Sequence, residues 1–290
     1  MKKLSKIQAL EDIVGKRGAD YYLISTTDDF LNEYVPEYNM RLRWLTNFSG
    51  SNGIALISKK KKFFFTDGRY TLQAEKELPK IFEIQDLSKI SVSNFISKNL
   101  KKKKIIVDTK IFSRSFMIEL INSSKIAEAR IIHEKKNSID LIWNDKPKSK
   151  SEPFFFLENK ISGCSSNIKI KKIKKKIDNN TLIVSSPESV CWLLNIRGYD
   201  LPNTPLVLSR LIISNHVITL YIDLQKVPKS FKFVNKIIIK DINSFYNDIS
   251  KYTNEDVFIE KQVSYYIYKT LCKKNRVKVI NDICKDLKSI

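Results

Sequence analysis

Four side chains in the first quarter of the chain have the chemistry to hold or orient a polar ligand: Arg41, Trp44, Asp67 and Arg69. A guanidinium presents a planar fork of donors to carboxylates, and an indole presents a flat apolar face with one N–H at its rim. Each also has a plain structural use. Trp44 reads as a core anchor, and Asp67 with Arg69 reads as a turn cap and local ion pair closing the Asp67-Gly68 turn. In the second half Trp192, Asn195, Arg197 and Gly198 stand in one run, where Arg197 reads as a donor to carbonyls of its own loop. Groups that break bonds are harder to place. His133 and His216 lack carboxylates at ligand spacing, and no Gly-x-Ser-x-Gly elbow, phosphate loop or dinucleotide fingerprint occurs. Cys164, Cys191, Cys272 and Cys284 are irregularly spaced with no Cys-x-x-Cys. That spacing implies reduced thiols, with Cys191 and Cys284 as small core residues, and speaks against a zinc or disulfide framework.

These residues need elements to position them. Residues 4–14 show helical apolar spacing and residues 21–24 read as a buried strand. Two apolar runs, 54–57 and 63–65, flank a lysine-bearing turn and predict a β-hairpin, closed by Asp67-Gly68. A helix is expected over 71–78, a strand near 81–84, a helix over 91–100, a strand over 104–107, a helix over 113–121 and a strand over 129–132. The polar, proline-bounded stretch 146–153 is the best domain boundary, giving domains of 1–146 and 147–290.

Beyond that boundary the order recurs. A helix over 166–177 and a strand over 181–185 lead to Trp192-Leu193-Leu194-Asn195-Ile196-Arg197-Gly198, which echoes Trp44-Leu45-Thr46-Asn47-Phe48-Ser49-Gly50. Apolar runs at 206–213 and 217–222 follow. Then come a strand over 236–239, a helix over 243–252, a strand over 256–259, a helix over 263–272 and a strand over 277–280. The simplest account is two tandem α/β domains of one topology, each a mixed β-sheet flanked by helices.

The run Arg41 to Gly53 and the run Thr66-Asp67-Gly68-Arg69-Tyr70 with Gln73-Ala74 together resemble the N-terminal region of Xaa-Pro aminopeptidases of the creatinase/prolidase group. Asn47 stands where that family has Gly, and Phe30 where it has His. The segment Glu188 to Pro205 is similar to the family's second domain, and the terminal Cys284 to Ile290 to the helix leading into its catalytic domain. The resemblance implies two creatinase N-terminal-like domains without the catalytic "pita-bread" domain. It also implies a role in shaping the substrate entrance and the homodimer, with no catalysis by this chain alone. Two divalent metal ions, expected to be manganese, would belong to the catalytic domain and none to this chain. The substrate of the full-length enzyme would be a peptide with proline at position two. A stand-alone binding module derived from this fold is the alternative, and it requires a well-docked C-terminal helix near 282–290.

The 290 residues suffice for two cores, and an apolar content of 42% is that of a globular chain. The net charge of +21 raises the possibility of a polyanion partner, but only nine of the 52 basic residues are arginine. Nucleic-acid readers favour arginine's bidentate fork, so no specific nucleic-acid partner is expected, and the lysine runs read as solvated surface. No apolar run reaches the ~20 residues of a bilayer span, and the charged N-terminal helix lacks a signal-peptide core, so a soluble cytoplasmic protein is expected.

Overall fold

The computed structural model describes residues 3–149, 151–178, 180–229 and 237–288. The chain divides into two compact units, Met1–Asp29 with Glu33–Lys148, and Ser149–Ile290 with Phe30–Asn32.

The first unit holds strands β1 (Tyr21–Ser25), β2 (Ile54–Ile57), β3 (Lys62–Thr66), β4 (Glu83–Asp86), β5 (Lys104–Val107) and β6 (Arg130–His133). Its helices are α1 (Lys3–Lys16), α2 (Arg41–Thr46), α3 (Thr71–Glu77), α4 (Val92–Asn99) and α5 (Arg114–Ile126). The sheet order is β4-β3-β2-β1-β5-β6. β2 runs antiparallel to both neighbours, and every other pair is parallel. Strands covered on both faces read as unbroken apolar runs, which is why Tyr21-Tyr22-Leu23-Ile24 and Phe63-Phe64-Phe65 are buried throughout. The β2–β3 register, Leu56 opposite Phe63, is fixed by Ser58, whose Oγ accepts from Lys61 N at 2.9 Å.

The second unit holds β7 (Phe155–Phe156), β8 (Thr181–Val184), β9 (Ile196–Arg197), β10 (Ser209–Ile213), β11 (Ile218–Ile222), β12 (Ile237–Asp241), β13 (Asp256–Glu260) and β14 (Arg276–Ile280). Its helices are α6 (Asn159–Ser162), α7 (Ser166–Lys176), α8 (Pro187–Leu194), α9 (Phe245–Ile249), α10 (Tyr265–Leu271) and α11 (Ile283–Lys288). The large sheet runs β12-β11-β10-β8-β13-β14, with β10 antiparallel to both neighbours and the remaining pairs parallel. β7 and β9 form a small separate pair. Position for position this is the order and polarity of the first sheet, so each unit is a mixed six-stranded sheet flanked by helices, as the repeated pattern predicts.

Several boundaries differ from the sequence expectation. The strand expected at 81–84 is β4 at Glu83–Asp86, because Phe82 N closes a turn on Pro79 O. The helix expected over 113–121 continues to Ile126, since Ser123 and Ser124 are small enough to be buried after Met117 and Leu120. Of the apolar run 206–213 only Ser209–Ile213 pairs as a strand; Leu206 to Leu208 form a buried loop tied to Asp200. The helix expected over 243–252 shortens to Phe245–Ile249 behind a 3-10 turn that Asp241 caps. The expected strand start at Lys236 and the final residues 289–290 lie outside the described residues.

Candidate functional site

In the first unit the site is built on α2. Leu42, Leu45 and Thr46 face the core, and the Thr46 hydroxyl donates to Leu42 O at 2.8 Å. Arg41 and Trp44, three residues apart, therefore share a neighbouring face. Asn47 ends the helix in the left-handed conformation (φ 68°), with its N–H on Arg43 O, so it serves where a glycine is usual. The face carrying Arg41 and Trp44 meets the segment Asp140 to Lys146. Arg41 Nε and Nη2 donate to the two Asp140 oxygens at 3.0 and 2.8 Å. Trp44 stacks on Trp143 with ring centroids 5.2 Å apart, and its Nε1 donates to Asp145 at 3.3 Å. Lys6 lies 4.4 Å over the Trp44 ring and donates to Trp44 O. Lys146 bonds Asp140 at 2.9 Å. Burial pushes the Asp140 carboxyl up, but the Arg41 hydrogen bonds and charge, then those of Lys146, outweigh it and hold the group below its ordinary value.

The stacked indoles border an open cleft of about 670 Å³, with Lys6, Arg43 and Lys76 supplying cations and Glu37 and Glu77 carboxylates at its walls. Of the four side chains singled out in this unit, only Trp44 lines the cleft; Arg41 acts behind it, through Asp140.

Asp67 and Arg69 form a clasp of their own. Asp67 accepts from Arg69 N, Nε and Nη2 and from Asn52 Nδ2 at 2.7 to 3.0 Å. Arg69, followed by Asn52, holds the half-buried Asp67 carboxyl well below the usual range. The same run continues through Tyr70, whose hydroxyl meets Ser51 Oγ, to Gln73 and Glu77, which bind Ser49. The second motif run thus clamps the loop 49–53 that ends the first, and that loop is tight. A Cβ on Gly50 would stand 2.4 Å from Phe48 Cζ, and one on Gly53 2.6 Å from Phe64 Cζ.

The second unit repeats the construction around α8. Asn195 ends that helix in the left-handed region (φ 53°), as Asn47 ends α2. Lys169 is buried, lies 4.5 Å over the Trp192 ring, and donates to Trp192 O at 2.9 Å and Asn195 Oδ1 at 2.5 Å. In both units a lysine from the preceding long helix covers the tryptophan and bonds its carbonyl. A cation at a helix C-terminus satisfies carbonyls that have no intrahelical partner. Burial, then the nearby Arg197 and Lys288, lowers the Lys169 ammonium pKa, with Cys164 opposing. Arg197 Nη1 donates to Cys191 O at 3.1 Å and Ile196 O at 2.8 Å. Gly198 leaves no room for a side chain, because its Cβ would meet Val207 Cγ2 at 2.3 Å.

Sequence reasoning assigned no role to Asp140, Trp143 and Asp145, which precede the boundary stretch 146–153. The signal was present: Asp140-x-x-Trp143 has the spacing of Arg41-x-x-Trp44 with the opposite charge. It also gave no role to Glu260 and Asp282 and read Cys284 only as a small core residue, yet the ligand atoms of these three, at the end of β13 and just after β14, lie within 4.8 Å of one another. The family's metal pair calls for carboxylates gathered with a histidine. Among the described residues neither His133 nor His216 belongs to such a group, so the donor set does not fit that pair.

Comparison with known proteins places these features. Residues 6–133 match the model of the creatinase/prolidase N-terminal domain, and residues 145–290 match a second model of the same description. Xaa-Pro aminopeptidase 1 of Dictyostelium discoideum is 27% identical over 96% of the chain and 47% of its own length. Xaa-Pro aminopeptidase ApepP of Drosophila melanogaster is 28% identical over 92% of the chain and 46% of its own. The chain thus spans about half the length of the curated relatives it matches. Among solved structures, the X-prolyl aminopeptidase from Caenorhabditis elegans, described as a cytosolic enzyme with a di-nuclear active site, shares the fold over 99% of the chain and 51% of its own (TM-score 0.90, 23% identity). With two family models filling the two units in order, the chain belongs to the creatinase/prolidase N-terminal domain family and carries two such domains in tandem.

Proposed function

We propose that this chain is the substrate-framing and dimer-forming N-terminal region of a cytosolic Xaa-Pro aminopeptidase, and that it frames the peptide without cutting it. The observation that carries the reading is the tandem family match, shared in order with Xaa-Pro aminopeptidases across nearly the whole chain. The cleft beside Trp44 and Trp143 supports it. A flat indole floor suits a pyrrolidine ring, while Lys6, Arg43 and Glu37 at the walls suit the charged ends of a short peptide. Substrate contact at this cleft is tested by titrating a peptide with proline at position two and following tryptophan emission. A saturable change, lost in Trp44→Phe, is expected; no change at millimolar peptide refutes contact here. Dimer formation is tested by sedimentation, where a monomer at every concentration refutes it.

A second reading, a stand-alone partner-binding module, is favoured by one observation. Helix α11 packs on α8 with Ile283 and Cys284 buried, and Asp282 caps it by accepting from Cys284 N and Lys285 N. Expression of the natural transcript separates the two readings: a product of ~300 residues supports the module, and one about twice that size supports the peptidase.

A further inference from the structure

The carboxyl-terminal ends of the parallel strands β8, β13 and β14 form the edge at which open α/β sheets bind ligands. In the second unit this edge gathers Glu260, the last residue of β13, with Asp282 and Cys284, which follow β14. Glu260 is 6% exposed and Cys284 1%. What faces the Glu260 carboxyl is the carboxyl group of Asp282.

The first unit supplies an internal comparison. There the topologically equivalent strands β5 and β6 are also followed by buried acids, Asp108 and Glu134. Asp108 accepts from Asn137 Nδ2 and Lys110 N, each at 3.0 Å. Glu134 accepts from the Tyr22 hydroxyl, from Arg17 Nη1 at 2.8 Å, and from Ser138 Oγ at 2.7 Å. The first unit therefore satisfies its acid pair with its own donors. In the second unit Asp282 has donors of its own, Ser189 Oγ and the N–H groups of Cys284 and Lys285, but Glu260 is not given the donors that Glu134 and Asp108 have, and a thiol is added. A buried Glu260 carboxyl facing the half-buried Asp282 carboxyl requires a cation or a proton between them, because an unpaired buried anion costs several kcal/mol.

We propose that Glu260, Asp282 and Cys284 bind one divalent transition-metal ion of the zinc type. Two carboxylate oxygens and a thiolate are three ligands of a four-coordinate site that water completes. At bond lengths of about 2.0–2.3 Å the ligand atoms would stand roughly 3.5 Å apart, so they need close by at most about 1.3 Å from their present limit of 4.8 Å. Asp282 is already oriented for it, since Ser189 Oγ donates to its Oδ2 at 3.1 Å and the first turn of α11 holds its Oδ1. Lys288 supplies a neighbouring positive charge. Thiolate ligation favours zinc or cobalt over magnesium or calcium. The metal would tie α11 to the sheet edge through Cys284.

The test uses the whole chain, stripped with chelator, desalted and titrated with Co²⁺ as a spectroscopic stand-in for zinc. One cobalt per chain is expected, with a thiolate-to-cobalt charge-transfer band that Zn²⁺ abolishes. Cys284→Ser should remove the band, Glu260→Gln should weaken binding by at least ~10-fold, and Ser189→Ala should weaken it by about 10-fold. Cys272→Ser, an exposed thiol elsewhere, should leave it unchanged. Far-UV circular dichroism checks that each variant is folded, and a zinc-dependent rise in the wild-type Tm gives a readout independent of the variants. Absence of the band and of the Tm shift overturns the proposal and leaves the acid pair holding a proton. A band that survives Cys284→Ser, or is lost in Cys272→Ser, overturns it as well.

Discussion

Replacing Arg41 by alanine should destabilise the first unit by about 2 to 3 kcal/mol at neutral pH. Breaking a fully buried ion pair by removing one partner costs about 3–5 kcal/mol. The Arg41 side chain is 11% exposed, close to that limit, but Asp140 is 30% exposed and retains Lys146, which places the cost just below that range. The same pair sets a pH dependence. Asp140 is held below its ordinary value, so its contribution is present above the unfolded carboxyl value, about 3.9, and is lost as pH falls through the lower folded value. The Arg41→Ala variant should lose less stability on acidification over that window. The assay is urea unfolding followed by tryptophan emission in a Trp192→Phe background, so that Trp44 and Trp143 report the first unit alone. A double-mutant cycle with Asp140→Asn should give a coupling of about 1.5 kcal/mol or more. A coupling below about 0.5 kcal/mol would refute the assignment of Arg41 as the residue that fixes the cleft through Asp140.

Other expectations follow from the same contacts. Lys169→Met should cost about 1–3 kcal/mol in the second unit by stranding Trp192 O and Asn195 Oδ1, whereas Lys171→Met on the exposed face of α7 should stay within about 0.5 kcal/mol; thermal melts distinguish them. Gly198→Ala should cost about 1–3 kcal/mol through the clash with Val207, while Gly68→Ala, with open space around it, should be far milder in the same denaturation series.

Much of the fold was legible because its signals are local. Unbroken apolar runs announced the central strands, and the echo of Trp44 to Gly50 in Trp192 to Gly198 announced the duplication. The structure gives that echo a cause, since Asn47 and Asn195 both end a helix in the left-handed conformation and both tryptophans lie under a lysine. What escaped notice depends on contacts distant in sequence. Lys6 and Lys169 look like any other lysine in a chain with so many, and only the fold puts one on each indole. Asp140 and Trp143 carry no local signal of their roles because their partners lie about a hundred residues earlier. Glu260 and Cys284 meet because β13 and β14 pair in parallel, and parallel neighbours bring together residues that no spacing rule connects. The shortened strand at 206–213 has a related origin: Leu206 to Leu208 are apolar because they pack as a buried loop, and burial alone does not distinguish loop from strand.

The central claim is that this doubled scaffold frames an Xaa-Pro peptide without cleaving it. Its most direct test is mass spectrometry of such a peptide incubated with the purified chain and Mn²⁺. We expect the peptide to be recovered intact at every time point. Release of its first residue, in proportion to the chain added and abolished by chelator, would contradict the claim.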